Sequence, residues 1–294
     1  MRDLVFIRTH AFGENERSLY KTLRLFFPEE AVVVCADESK AQVDTGGIAK
    51  ISLTRDIASR LAGGDLPEDW GWRMGDLFYA RVREVHPDVG RYWLIEPDVH
   101  IPPGHVAAIL GDLAEIEADY LACDFRDHGH RPFNRALRRI QDVTTYGGVF
   151  AFTRASAAAV KRTLALRQRV TATLGPAPPK VPVPNDEAVM ANAVVAAGLT
   201  GLNLAEVMPE VFDTAWFSFN PPRLRRAVET ADPDLPRVMH PILSIEEIAA
   251  KITAPSRPGY SPRYPAWRLR HVLPHLTPEE RQVIEDAWAA SDRH

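Results

Sequence analysis

The sequence predicts an α/β fold, a mainly parallel sheet flanked by helices. Residues 3–7 and 31–36 are two apolar, β-branched runs. Between them, residues 14–27 place Leu19, Leu23, Phe26 and Phe27 on one side of a helix that stops before Pro28. A strand–helix–strand opening of this kind closes as a parallel pair with a right-handed crossover. Tyr92, Trp93, Leu94 and Ile95 are four consecutive apolar positions, which suit a strand covered on both faces. With 294 residues, 46% hydrophobic and 25% charged, the chain has the length and composition for a large α/β core.

The remaining elements follow in order. Residues 48–53 give a third strand and residues 55–61 a short helix, broken by Gly63 and Gly64. Residues 70–75 are dense in aromatics, and Trp70 and Trp72 suit either a core or a pocket for a base or sugar. Residues 76–85 are helical and lead into the 92–95 strand. Pro102, Pro103 and Gly104 make a rigid turn before a helix over 105–113 and a strand over 118–124. In the polar loop 126–131, His128 and His130 have a spacing that can ligate a metal but lack a nearby third ligand. Gly147 and Gly148 open a strand over 149–152, where glycines either admit a substrate close to the backbone or mark a bulge. An alanine- and arginine-rich helix spans 155–168, and a proline-dense connector spans 175–184.

Asn185 or Asp186 caps a helix that runs to residue 197. A late strand at 202–204 precedes an aromatic stretch with Phe212, Trp216, Phe217 and Phe219. Arg223, Arg225 and Arg226 then form a basic cluster able to neutralise a phosphate or an anionic acceptor. Residues 1–243 read as the main domain and residues 244–294 as a helical C-terminal appendage. The two appendage helices, 244–252 and 277–290, open on capping boxes, Ser244 with Glu247 and Thr277 with Glu280. Between them lies a proline-rich stretch with Tyr260, Tyr264 and Trp267.

A net charge of −4 gives no reason to expect nucleic-acid binding. Cys35 and Cys123 lie in apolar runs and read as reduced core thiols, without zinc-site spacing. No apolar run approaches the roughly 20 residues of a membrane helix. A strand starts almost at Met1, so no signal peptide is expected and a cytoplasmic location is the default, with peripheral membrane contact left open.

The chemistry concentrates where the 92–95 strand ends. Pro97 has no N–H and stops sheet pairing, and Glu96 and Asp98 flank it. In extended chain these two positions point the same way, beyond the carboxyl end of a strand, where open α/β sheets bind ligands. Two close carboxylates repel unless a cation or a shared proton compensates, and hard oxygen ligands suit Mg²⁺ or Mn²⁺.

A buried strand ending in acidic–x–acidic resembles the metal-binding motif of GT-A-type glycosyltransferases, with Glu96 in place of the usual first aspartate and Pro97 in the middle. The resemblance spans residues 3–240. It implies a Rossmann-type sheet, mixed but mainly parallel, a nucleotide-diphosphate sugar donor and a hydroxyl acceptor such as a glycan. In this resemblance Arg8, Thr9, His10 and Asp37 hold the nucleotide, with a uridine diphosphate sugar favoured. Arg73, Asp76 and Glu96 complete the donor contacts. Tyr146, Gly147, Gly148 and Trp216 lie on the substrate side, and Asp186 or Glu187 is the general base, with Asp186 slightly favoured. His240 joins Glu96 and Asp98 as the third metal ligand, and an imidazole beside carboxylates favours Mn²⁺ over Mg²⁺. Two other functions fit the same carboxylates: a nucleotidyltransferase, which would want a more glycine-rich first loop, and a non-catalytic nucleotide- or carbohydrate-binding protein.

Overall fold

The computed structural model describes residues 2–129, 132–138, 140, 145–174, 183–219, 221–230, 235–254 and 266–291. His130, Tyr260, Tyr264 and most of the 175–184 connector lie outside the described residues. The central sheet has seven strands: β1 (Asp3–Thr9), β2 (Val32–Asp37), β3 (Lys50–Leu53), β4 (Arg91–Ile95), β5 (Tyr120–Asp127), β6 (Tyr146–Ser156) and β7 (Gly201–Asn203). Their order across the sheet is β3-β2-β1-β4-β6-β5-β7. β6 runs antiparallel to both its neighbours, and every other pairing is parallel. A two-stranded parallel ribbon, β8 (Arg223–Leu224) and β9 (Ile242–Leu243), lies apart from this sheet.

The helices are α1 (Glu14–Leu23), α2 (Arg55–Ala62), α3 (Trp70–Arg73), α4 (Asp76–Val85), α5 (Val106–Glu115), α6 (Pro132–Leu137), α7 (Ala157–Leu174), α8 (Asp186–Ala196), α9 (Leu204–Val207), α10 (Arg225–Thr230), α11 (Ile245–Thr253) and α12 (Pro278–Ser291). Period-two alternation in the strands sorts the core into two layers. Leu4 and Phe6 of β1 and Tyr92 and Leu94 of β4 pack with α2, α4, α7 and α8. Val5, Ile7, Trp93 and Ile95 face the other way, onto α1 and α5. Both faces are covered, which is why these strands read as unbroken apolar runs.

Several boundaries differ from the sequence expectation for local reasons. The helix expected over 14–27 ends at Leu23, and a final turn carries the chain to Phe27, whose N–H reaches the Leu23 carbonyl at 2.9 Å. The strand expected over 149–152 extends from Tyr146 to Ser156, because it is sandwiched between β4 and β5 and pairs on both edges. The short helix α3 is an addition to the elements that periodicity predicts. Asn185 is the N-cap of α8, accepting from the Ala188 N–H at 3.2 Å, an interaction worth about 1 kcal/mol. Both capping boxes of the appendage form: Ser244 with Glu247, and Thr277 with Glu280. Cys35 and Cys123 are buried free thiols, and burial pushes the Cys123 thiol up to about 12.

Candidate functional site

The register of the parallel strands builds the site. Ile7 of β1 pairs with Ile95 of β4, so the next residues, Arg8 and Glu96, emerge side by side at the carboxyl edge. Arg8 Nη1 donates to Glu96 Oε1 at 2.8 Å and to Asp186 Oδ2 at 3.1 Å. Its Nη2 donates to the carbonyls of Gly71 and Trp72, at 2.6 and 2.8 Å. The guanidinium also lies over the Phe78 ring, 5.0 Å from its centroid. Burial of Arg8 disfavours its charge, but Glu96 and Asp186 more than offset this. One cation thus ties the first acid of the β4 motif to the start of α8 and to the end of α3.

Asp186 is the other pole of this network. The Gly75 N–H donates to its Oδ2 at 2.8 Å, and the Glu187 N–H to its Oδ1 at 2.9 Å. Burial pushes its carboxyl up to about 6, against the opposing pull of Arg8. Gly75 is required here, since a Cβ would fall 2.4 Å from Arg8 Nη1 and 2.6 Å from Asp186 Oδ2. Glu187 is only half-buried and accepts from Asn185 Nδ2 at 2.8 Å.

The second half of the site comes from a segment far along the chain. His100 and Met239 exchange backbone hydrogen bonds at 2.9 and 3.0 Å, and the Ile242 N–H donates to the Asp98 carbonyl at 2.8 Å. These bonds lay residues 239–242 against 98–100 and bring His240 to Asp98. His240 Nε2 stands 3.5 Å from Asp98 Oδ1, while its Nδ1 lies 2.8 Å from the Ser218 carbonyl. A carbonyl only accepts, so Nδ1 carries a proton. The Nε2 lone pair of a neutral ring would then face a carboxylate, so the pair needs either a shared proton or a metal ion between them. A ring N–H held by a backbone carbonyl is also the usual support of a metal-ligating histidine. Burial disfavours charge on both groups, but each is overcome by the other: Asp98 is drawn down to about 2 by His240, and His240 is raised by Asp98. Ligand atoms of Glu96, Asp98 and His240 all lie within 4.8 Å of one another, roughly twice a metal–ligand bond length. The donor set therefore fits a divalent ion. The His240–Pro241 peptide is cis.

The other expected residues fall at varied distances from this centre. Thr9 Oγ1 donates to Glu16 Oε1 at 2.9 Å, within the turn that starts α1. His10 is exposed. Asp37 accepts from the Ser39 N–H at 2.9 Å and packs so closely on Gly71 that a Cβ there would fall 2.1 Å from Asp37 Oδ2. Arg73 pairs with Asp69 at 2.6 Å and lies by the rings of Trp72 and Phe133. Asp76 is buried, and Arg167 holds both its oxygens, at 2.7 and 2.8 Å. α3 thus covers the ends of β1 and β2, with Trp70 in the core and Trp72 46% exposed.

On the substrate side, Tyr146 is clamped by its backbone to Asn192 of α8, at 2.7 and 3.1 Å. A Cβ on Gly147 would meet His128 at 2.9 Å, and one on Gly148 would meet the Cys123 carbonyl at 3.2 Å. Gly148 lies where the β5–β6 register shifts, and Asp124 there takes a φ of 56°. Of the two sequence alternatives for these glycines, a bulge is present. The His128 ring is held by the Asp124 carbonyl at 3.0 Å. Trp216 is half-buried, and its carbonyl accepts from the His240 N–H at 3.0 Å.

Sequence reasoning passes over Gly71, Gly75 and Ser218. The glycines of residues 70–75 are a visible signal, overshadowed by the tryptophans beside them. Ser218 contributes only a carbonyl, for which no side-chain signal exists.

No family model matches the sequence, and no curated protein matches it. Among solved structures, the chain is similar to mouse xyloside xylosyltransferase 1 in its apo form, with a TM-score of 0.39 and 9% identity over 76% of this chain and 87% of that one. It is similar to mannose-1-phosphate geranyltransferase from Thermus thermophilus, with a TM-score of 0.33 and 12% identity over 70% of each chain. It is also similar to a glycosyltransferase involved in the glycosylation of the major capsid of PBCV-1, with a TM-score of 0.31 and 11% identity over 62% of this chain and 79% of that one.

Proposed function

We propose that this protein is a metal-dependent, GT-A-type glycosyltransferase that moves a sugar from a nucleotide-diphosphate donor to a hydroxyl acceptor, a glycan or glycoconjugate. The observation that carries this reading is the convergence of Glu96, Asp98 and His240 at the carboxyl end of β4, with His240 Nδ1 committed to the Ser218 carbonyl. A divalent ion held there would neutralise charge on a diphosphate leaving group. Mixed imidazole and carboxylate donors favour Mn²⁺ over Mg²⁺. Arg8 fixes the orientation of Glu96. The nucleotide, with uridine favoured, lies toward His10, Asp37 and Trp72.

Of the two carboxylates at the start of α8, we assign the general base to Glu187. A base must reach the acceptor proton, and Glu187 is partly exposed while Asp186 is buried against Arg8. Asp186 then acts as a positioning residue.

Calorimetric titration of UDP, GDP, ADP and CMP, with Mn²⁺ and with EDTA, tests the reading. The expected result is tight binding of one nucleoside diphosphate that disappears in EDTA and weakens at least about tenfold in Asp98→Asn and His240→Ala, the loss of one ligand bond. Binding that ignores both EDTA and the two substitutions would remove the metal from the reading. No binding by any nucleotide would overturn the transferase assignment.

A further inference from the structure

The segment that delivers His240 also gathers cations that lack acidic partners among the described residues. The Arg223 guanidinium carbon lies 3.6 Å from the centroid of the Trp216 ring, and that of Arg237 lies 4.9 Å from the same centroid. Two positive charges therefore share one indole. Arg223 Nη2 donates to the Ala215 carbonyl at 3.0 Å, which fixes the fork without neutralising it. Arg237 Nε is cut off from solvent and has no hydrogen-bond partner among the described residues. Among those residues, no carboxylate lies within ion-pair reach of Arg223, Arg237 or Arg270. Burial, then Arg237 and Arg270, lowers the Arg223 pKa, and Asp213 only partly opposes them. The ring supplies cation–π attraction to each guanidinium, but it does nothing about their mutual repulsion. An anion reached by both does, and planar guanidinium forks suit the oxygens of a phosphate.

The position of the cluster selects the substrate. The Glu96–Asp98–His240 trio is joined to Arg8 through Glu96, and to Trp216 through the His240 N–H. Arg223 adjoins the same histidine, its N–H donating to the Pro241 carbonyl at 3.0 Å. The cluster is thus tied to the trio through His240, whereas the β1 end assigned to the nucleotide is tied to it through Glu96.

We propose that Trp216, Arg223 and Arg237, with Arg270 at the rim, form a phosphate subsite for the acceptor, so that the acceptor is a phosphate ester of a sugar or glycoconjugate. This inference rests on the transferase reading for the word acceptor, and on geometry alone for the anion.

The test uses inorganic phosphate as the probe, titrated by calorimetry into the full chain in EDTA. Saturable binding is expected, weakened at least about tenfold in Arg223→Gln and in Arg237→Gln, the loss of one charge-assisted pair. Arg237→Lys, which keeps charge but not the fork, should bind with intermediate affinity and guards against misfolding of the glutamine variants. Asp98→Asn should bind phosphate as the wild type does. Glycerol phosphate should compete with phosphate, and glycerol should not. No phosphate binding, or binding indifferent to both arginines, overturns the subsite. Displacement of phosphate by UDP with Mn²⁺, together with a matching loss of UDP affinity in Arg223→Gln, overturns the acceptor assignment in favour of the donor diphosphate. Arginine-dependent phosphate binding without binding of any nucleotide keeps the anion subsite and overturns the transferase reading, so the two failures are separable.

Discussion

Arg8 satisfies two carboxylates and two carbonyls at once, so its removal should be felt twice. Arg8→Met leaves Asp186 buried without its cation, a defect that costs about 3–5 kcal/mol in comparable buried pairs. The defect should depend on pH. Asp186 already titrates at about 6 in the folded protein, above the ordinary carboxyl near 3.9. Between those values the folded state binds a proton that the unfolded chain has released, so this group's contribution to stability falls as pH rises through that window. Removing Arg8 raises the folded value further. Urea melts should therefore show the largest loss for Arg8→Met at pH 7 to 8 and a smaller one at pH 5; an equal loss at both would mean that the guanidinium does not compensate Asp186. Kinetics separate the two acids of α8. Glu187→Gln should lower kcat about a hundredfold or more with little change in donor KM, as loss of a general base does. Asp186→Asn should change stability more than kcat. A reversed pattern would return the base to Asp186.

At the scale of the element, the decisive piece is the short α3–α4 junction. α3 lays the Gly71 and Trp72 carbonyls on Arg8, and the Gly75 N–H that follows it binds Asp186. Gly75→Ala would place a methyl group against Arg8 Nη1, Phe150 and Asp186, all within 2.6 Å of the new carbon. The expected cost is about 1–3 kcal/mol, typical of overpacking, read as a lower urea midpoint at unchanged m. Weaker Mn²⁺ binding should accompany it, because Arg8 steers Glu96. A variant as stable as the wild type would show that the junction yields without strain. Residues 70–75 advertise aromatic density in the sequence, yet their part in the site is played by backbone, which composition does not display. By contrast, both capping boxes of the appendage are legible, because the signal is a side-chain pattern four residues long.

Across the whole molecule, the appendage is not a loose tail. Ile248, Ile252, Leu269, Val272, Ile284 and Ala287 form a small core that also takes in Leu224 and Leu243 from the β8–β9 ribbon. Asn15 of α1 donates to Glu247 at 2.7 Å, and Arg226 pairs with Glu280 at 2.7 Å. We propose that the appendage core begins at β8 rather than at residue 244. A chain ending at residue 243 should then melt at a lower temperature than the full protein and self-associate on size-exclusion chromatography, since Leu224 and Leu243 lose their cover. Equal melting temperatures and a monomeric truncated chain would instead make residues 244–294 an independent attachment. Among the described residues no helix is long and apolar enough to cross a membrane.

By itself the sequence determined the α/β class, the order of most elements and the end of β4 as the place where carboxylates gather. These are local properties: apolar runs, helical spacing, and a proline that ends pairing. Through the resemblance it also marked His240 as a third ligand. Only the tertiary structure decided which groups meet. Parallel register set Arg8 beside Glu96, and backbone bonds between residues 98–100 and 239–242 carried His240 to Asp98 across nearly half the chain. The antiparallel β6 also needed the assembled sheet, since its direction depends on neighbours distant in sequence. Asp76 and Arg167 show the same limit, because a buried ion pair between residues so far apart leaves no periodic trace in either segment. Local pattern is fixed by neighbours along the chain, whereas the charge and coordination of a site are fixed by neighbours in space.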